Sequence, residues 1–242
     1  GGCVRNAVMG RGADDIDIAT QLLPEETVAT AKAAGLAAHP TGIEHGTVTL
    51  VARGRPFEVT TLRRDVTTDG RRATVAFTQD WNEDAQRRDF TLNALYAERD
   101  GTLHDPSGTG VADALSGRVV FIGDADRRIA EDYLRILRFF RFSAWYGRAG
   151  LDPEGLAACR RGLGGMEGLS AERVWKELKK LLSADDPRAA LEGMGQAGVH
   201  QAVWPMADRL DRLSALIGFE AGAFLQPDPL RRAAAAVSGL DA

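Results

Sequence analysis

Acidic and apolar side chains alternate over residues 15–20, DIDIAT. That two-residue period predicts a strand with Ile16 and Ile18 turned to a core and Asp15 and Asp17 together on the other face. PEETVATAKAAGL predicts a helix that opens at Pro24, where a missing N–H costs nothing, and stops near Gly35. Two β-branched runs, GTVTLVA and FEVTTLR, joined by Arg53-Gly54-Arg55-Pro56, predict a hairpin, and RRATVAFTQ a further short strand. DFTLNALYAE predicts a helix running to a turn at Asp100-Gly101, while turn residues dominate HDPSGTGVADALSG. From Arg127 onward strand signals are scarce. RRIAEDYLRILRFFRFSAWYG, SAERVWKELKKLLSA and DPRAALEGMGQAG all predict helices. The pattern is α+β first and all-helical afterwards, with a boundary near Gly123 and no repeat of fixed period.

The helix predicted for RIAEDYLRILRFFRF is apolar on more than one side. Ile129, Tyr133, Ile136, Leu137 and Phe140 form one stripe at about 100° per residue. Asp132, Arg135, Arg138 and Arg141 recur every third residue, and Leu134, Phe139 and Phe142 are interleaved with them. A helix that is apolar all round is buried, so these charges are expected to line a covered cleft. Arginines and an aspartate on a cleft wall suit a ligand with phosphates and a base. The competing reading is a structural ion-pair network with Glu131, Asp132 and Glu177.

Composition changes this picture little. The 242 residues are 44% hydrophobic and 26% charged, ordinary values for a globular protein. No apolar run approaches the ~20 residues of a membrane span, and no signal-peptide pattern leads the chain. Cys3 and Cys159 have no framework spacing, so a reducing, cytoplasmic setting is expected. His39, His45, His104 and His200 are too scattered for a zinc site. With a net charge of −4, any nucleic-acid contact must come from local basic patches such as Arg160, Arg161, Lys176, Lys179 and Lys180. A solvated helix face accounts for the lysines equally well. The absent initiator Met points to a fragment or a trimmed chain.

Two carboxylates side by side repel, and a cation between them removes that cost. Hard oxygen ligands suit Mg²⁺, which binds through one or two carboxylates plus substrate phosphates. Asp15 and Asp17 are therefore candidate metal ligands, the alternative being solvated acids on an edge strand. Asp14 is expected to face the other way, in solvent. If the strand holding Glu58 lies beside the DID strand, Glu58 can complete a carboxylate trio for two metals. Gly1-Gly2 permits close backbone approach to a phosphate that Arg5 can also reach.

GGCVRN…DDIDIAT…PEE, EVTTLRRDVTTDGRRATVAFTQDWNEDAQRRDFTLNAL and AEDYLRILRFFRF occur here in the order seen in class II CCA-adding enzymes, the tRNA nucleotidyltransferases. The chain resembles that family from Gly1 to about Leu182. The resemblance implies a polymerase-β-like head with a small mixed sheet (1–123), a helical neck that binds base and RNA (124–190) and the start of a helical body (191–242), truncated at both ends. It implies two-metal transfer of CMP and AMP from CTP and ATP to the tRNA 3′ end, with Mg²⁺ as cofactor. Neither a membrane nor a protein partner is implied.

Residue by residue, the resemblance makes Asp15 and Asp17 the metal ligands, with Glu58 as a third carboxylate. Gly2 and Arg5 match positions that hold the triphosphate. Arg88 matches a nucleotide-contacting arginine, and Asp89 and Asn93 belong to the segment associated with the ribose. Asp132 and Arg135 match the pair that reads the base, with Arg138 and Arg141 as further nucleotide-site arginines. RRDVTTDGRRATVAFTQ resembles the loop needed for the final A. Asn6 stands where the family usually has Asp, and the strand that normally leads into the glycine pair is missing. Two other readings stay open: a poly(A) polymerase of the same superfamily, and a non-catalytic RNA- or nucleotide-binding module.

Overall fold

The computed structural model describes residues 1–13, 15–68 and 73–237. Asp14 and the tip of the RRDVTTDGRRATVAFTQ segment, residues 69–72, lie outside them. The chain divides into two compact units, Gly1–Leu115 and Ser116–Ala242.

The first unit opens with α1 (Gly2–Val8), β1 (Ile18–Thr20) and α2 (Pro24–Ala33), followed by β2 (Ala37–Gly42), β3 (Thr47–Ala52) and β4 (Arg55–Thr61). The four strands form a mixed sheet in the order β1-β4-β3-β2. β4 runs parallel to β1 and antiparallel to β3. The β3–β4 hairpin turns through two residues, Arg53 at φ 52° and Gly54 at φ 75°. Paired left-handed residues match the strand twist, which is why this short loop suffices. β5 (Arg63–Thr68) and β6 (Ala73–Phe77) pair into a separate two-stranded ribbon. α3 (Trp81–Gln86), a 3₁₀ turn at Thr91–Asn93, the short pair β7 (Tyr96–Ala97) and β8 (Leu103–His104), and α4 (Gly110–Ser116) complete the unit. Val48, Leu62, Phe90, Leu92 and Leu95 are its buried centre.

Three expectations fail in this unit. The predicted strand over 15–20 is paired only from Ile18, opposite Val59. Ile16 and Ile18 are 54% and 43% exposed instead of buried. The cause is β1's place at the sheet edge, with one neighbour and no covering layer at its start. DFTLNALYAE is not a helix. Asp89 Oδ1 accepts from the Phe90 N–H and from Asn93 Nδ2, both at 2.9 Å, and such local bonds compete with helical ones. The helix falls earlier, at α3, opened by Asp80, whose side chain accepts from Asn82 N at 2.8 Å. Within HDPSGTGVADALSG the turn gives way to α4, because Asp105 Oδ2 accepts from Val111 N at 3.0 Å and starts a helix there.

Among the described residues the second unit's elements after Gly123 are helices: α5 (Ala125–Glu131), α6 (Leu134–Tyr146), α7 (Pro153–Arg161), α8 (Ala171–Leu182), α9 (Arg188–Gln196), α10 (Val199–Val203), α11 (Leu210–Gly222) and α12 (Pro229–Ala235). A 3₁₀ turn at Leu163–Gly168 joins α7 to α8. α5, α7, α8 and α12 open on Asp124, Asp152, Ser170 and Asp228, whose side chains accept backbone N–H bonds. α6 is the central helix, buried on several sides through Leu134, Ile136, Leu137, Phe139, Phe140 and Phe142. Phe139 stacks on Phe121, ring centres 5.5 Å apart.

The single helix predicted across 128–142 is two helices. Asp132 has extended backbone, φ −157° and ψ 105°, and its Oδ1 accepts from Leu134 N at 3.1 Å. Aspartate competes for backbone bonds in this way, so it ends α5 and opens α6. Farther on, Arg232 is 1% exposed. Its Nε donates to Glu220 Oε2 at 2.6 Å, Nη1 to the Leu182 carbonyl at 2.7 Å, and Nη2 to that of Asp185 at 3.1 Å. That guanidinium ties α11 and α12 to the end of α8.

Candidate active site

In the first unit, α1 carries Gly2 and Arg5 to the segment that follows α3. Arg5, 6% exposed, donates through Nη1 to Asn93 Oδ1, and Asn93 Nδ2 donates in turn to Asp89 Oδ1. A Cβ added at Gly1 would stand 3.5 Å from Arg88 Nη1, and one at Gly2 3.6 Å from Arg5 Nη2. Arg5, Asn93 and Asp89, picked out from the sequence, are thus hydrogen-bonded to one another, Arg88 Nη1 donates to the Asn93 carbonyl at 3.3 Å, and Gly2 lies against Arg5.

Asn6 has a use that aspartate lacks. Its Oδ1 accepts from Arg5 Nη2 at 2.8 Å while its Nδ2 donates to the Gly12 carbonyl at 3.1 Å. A carboxylate keeps the first bond and loses the second.

The sequence reading missed the buried residue that holds Arg88. Asp84 is 2% exposed and accepts from Arg87 Nε at 2.9 Å, Arg88 Nη2 at 3.0 Å, the Tyr96 hydroxyl at 2.6 Å and the Arg63 N–H at 3.2 Å. Burial by itself raises its pKa; the Arg87 and Arg88 charges and the Tyr96 hydroxyl outweigh burial and hold it at about 2. The same burial pushes the Tyr96 hydroxyl up. A signal was available: in EDAQRR an acid sits three and four residues before two arginines, the spacing at which helical side chains meet.

Asp15 and Asp17 are exposed on the segment entering β1. β4 does lie beside β1, and with Ile18 opposite Val59, Glu58 falls one step back along the register, level with Asp17. Among the described residues no three His, Cys, Asp or Glu side chains are gathered to hold a metal ion. Two exposed carboxylates nonetheless fit a hard cation that takes its remaining ligands from water and substrate phosphates.

In the second unit, the interrupted α5–α6 segment holds the other candidates. Arg135 Nη1 donates to Glu131 Oε2 at 2.5 Å and to the Arg128 carbonyl at 2.8 Å. Asp132 Oδ2 accepts from Arg173 Nη2 at 2.8 Å. Arg141 Nε lies 2.7 Å from Glu177 Oε2 and its guanidinium 4.3 Å from the Phe142 ring centre, which Arg138 also covers at 5.4 Å. The ion-pair network considered above is therefore present, with Arg173 added. Arg173 carries no local signal, since it meets Asp132 from 41 residues away.

Two family models match the chain: the poly A polymerase head domain over residues 1–120, and the probable RNA and SrmB-binding site of polymerase A over 150–210. A curated relative, the mitochondrial CCA tRNA nucleotidyltransferase 1 of Danio rerio, is 44% identical over 86% of this chain and 49% of its own length. The chain belongs to the family of CCA-adding tRNA nucleotidyltransferases and poly(A) polymerases. Another member, the CCA-adding enzyme of Levilactobacillus brevis, is 37% identical over 89% of this chain and 54% of its own. Among solved structures, the Bacillus stearothermophilus CCA-adding enzyme in complex with CTP superposes with a TM-score of 0.75 at 31% identity, covering 91% of this chain and 52% of that one. The chain spans about half the length of the curated family members it matches. Its first unit is the polymerase-β-like nucleotidyltransferase head of this family, and helices follow it as in those structures.

Proposed function

We propose that this chain carries the catalytic part of a CCA-adding enzyme, which adds C, C and A to the 3′ end of tRNA from CTP and ATP without a template and releases pyrophosphate. The observation that carries the reading is the hydrogen-bonded set Arg5–Asn93–Asp89, with Arg88 on the Asn93 carbonyl and Gly2 against Arg5, in the same unit as Asp15 and Asp17. The proposal divides the chain into a head (1–123), a neck that meets base and RNA (124–190) and the start of a body (191–242). It takes Mg²⁺ as the divalent ion and the cytoplasm as the setting. The free Cys3 and Cys159 are consistent with that setting, although animal relatives bear the word mitochondrial in their names.

Asp15 and Asp17 would hold the magnesium ions, and Glu58, level with Asp17 in the β1–β4 register, would be the third carboxylate. When bound, the ions lower the pKa of the RNA 3′-hydroxyl and balance charge on the triphosphate. Arg5 and Arg88, each fixed by neighbouring side chains, set positive charge against the phosphates, and Asp89 and Asn93 face the ribose. In the neck, the Asp132 carboxylate accepts from the exocyclic amino group of C or A while Arg135 donates to the adjacent ring nitrogen. G and U present the opposite pattern at both places. Each buried mismatch costs ~1–3 kcal/mol, which lets one pocket accept both correct bases. Arg138 and Arg141 are further nucleotide-site arginines of the neck. The β5–β6 ribbon corresponds to the loop needed for the last A.

The family's poly(A) polymerase branch is the second reading, because the head model bears that name. One experiment separates the two: extension of a tRNA lacking CCA, with Mg²⁺ and labelled CTP, ATP, GTP or UTP supplied singly and together. Two Cs and one A, then a stop, is the expected product. A long A tail assigns the polymerase. Nucleotide binding without incorporation assigns a binding module.

A further inference from the structure

The two oxygens of the buried Asp84 have different tasks. Oδ1 accepts from the Arg63 N–H and from Arg87 Nε, which ties the end of α3 to the start of β5. Oδ2 accepts from Arg88 Nη2 at 3.0 Å and from the Tyr96 hydroxyl at 2.6 Å. Tyr96, itself buried, holds Arg88 a second way. Its ring centre lies 5.2 Å from the Arg88 guanidinium and meets the Trp81 ring edge-on at 5.0 Å. The other terminal nitrogen, Nη1, donates to the Asn93 carbonyl at 3.3 Å. A Cβ added at Gly1 would stand 3.5 Å from that same Nη1, so it borders the glycine pair. Arg88 Nε is buried with no hydrogen-bond partner among the described residues. Leaving a donor unpaired has a cost, and the contacts on the rest of the guanidinium outweigh it.

An arginine in water samples many rotamers, and a phosphate that binds it must first still them. Here a carboxylate, a hydroxyl and an aromatic face hold the guanidinium in place with no nucleotide present. Nη1 carries two hydrogens, one for the Asn93 carbonyl and one for a ligand at the glycine pair. We propose that Asp84 and Tyr96 are positioning residues for nucleotide: they fix Arg88 in advance, with Nη1 turned to the glycine pair where the triphosphate binds. Both act through Arg88 and neither touches the nucleotide. The proposal rests on the reading of Arg88 as a nucleotide-site arginine and deepens it by naming what aims that side chain.

The test measures CTP affinity of this chain with Mg²⁺ at equilibrium, on variants whose melting curves show them folded. Arg88→Ala should weaken CTP binding about tenfold or more, the scale of a lost charge-assisted hydrogen bond. Asp84→Asn keeps the shape of the side chain, loses one accepting oxygen, and should weaken CTP binding about fivefold. Tyr96→Phe keeps the ring beside Arg88, removes only the hydroxyl, and should weaken it about threefold. In the Arg88→Ala background each of these two substitutions should add less than about twofold, because the side chain they act through is gone. Arg87→Gln removes a partner from the other Asp84 oxygen; it should lower the melting temperature and leave CTP affinity within about twofold. Losses that multiply in the double variants, or an Arg87→Gln loss equal to that of Asp84→Asn, would make Asp84 a structural residue only and overturn the proposal. Should Asp84→Asn fail to fold, Tyr96→Phe, alone and with Arg88→Ala, decides in the same way. Weak CTP binding by Arg88→Ala with wild-type affinity in Asp84→Asn and Tyr96→Phe overturns the positioning and leaves the nucleotide role of Arg88 standing. Wild-type affinity in Arg88→Ala, or a wild-type chain that binds no CTP, overturns both.

Discussion

Asp84 is ionised inside the first unit because four donors converge on it, and this makes it a source of acid sensitivity. Its folded pKa of about 2 lies below the ordinary value of 3.8, so its contribution is complete above that value and is lost as the pH falls towards 2. The shift corresponds to ~2 kcal/mol. Asp84→Asn should therefore be less stable than wild type by about that amount at pH 7, with the gap closing between pH 4 and 2 in urea titrations. A gap independent of pH would assign the loss to packing instead. Asp132 bears on choice of base. With Asp132→Ala, discrimination for CTP over UTP, read as the ratio of kcat/KM values, should fall by roughly tenfold to a hundredfold, while triphosphate affinity changes little. Equal losses for all four nucleotides would remove the base-reading role. The same substitution removes the bond that opens α6, at a cost of about 1 kcal/mol in stability. Most candidate residues were legible one at a time from their chemistry. Their partners Asp84 and Arg173 were not named, the first overlooked in local spacing and the second visible only once the chain is folded.

Where elements press together, two glycines have opposite uses. Gly155 of α7 lies against α6: a Cβ there would stand 2.8 Å from the buried Phe139 ring. Gly155→Ala should lower stability by ~1–3 kcal/mol, because that ring has no room to retreat. Gly195, exposed on α9, has nothing within 4 Å of an added Cβ. Gly195→Ala should raise stability by ~0.5–1 kcal/mol through better helix propensity. Thermal melts of the two variants shifting in the same direction would contradict this packing. The β3–β4 hairpin and α2 were readable because their turn and cap residues carry the instructions locally. The 90–96 segment and the break at Asp132 were not, because hydrophobic periodicity does not register side chains that bond back to their own backbone.

On the scale of the whole molecule, metal is expected to serve chemistry and not folding. Asp15 and Asp17 are exposed, and no fold-forming bond depends on them among the described contacts. Chelation by EDTA should stop nucleotide incorporation, added Mg²⁺ should restore it, and the melting temperature should stay the same throughout. A melting temperature that falls with EDTA would point to a structural metal instead. The division into an α+β part and a helical part was legible because strand signals cease after the first half, whereas the pairings inside each part depend on residues far apart in sequence. The buried Arg232 sets a limit on how far the protein can be trimmed. Ending the chain ahead of Arg231 and Arg232 would leave Glu220, 1% exposed, without either guanidinium, and the last carbonyls of α8 without a donor. An uncompensated buried charge costs ~3–5 kcal/mol. A shortened catalytic fragment for expression or crystallisation should therefore retain all of α12, even though that helix lies far along the chain from every residue assigned to catalysis.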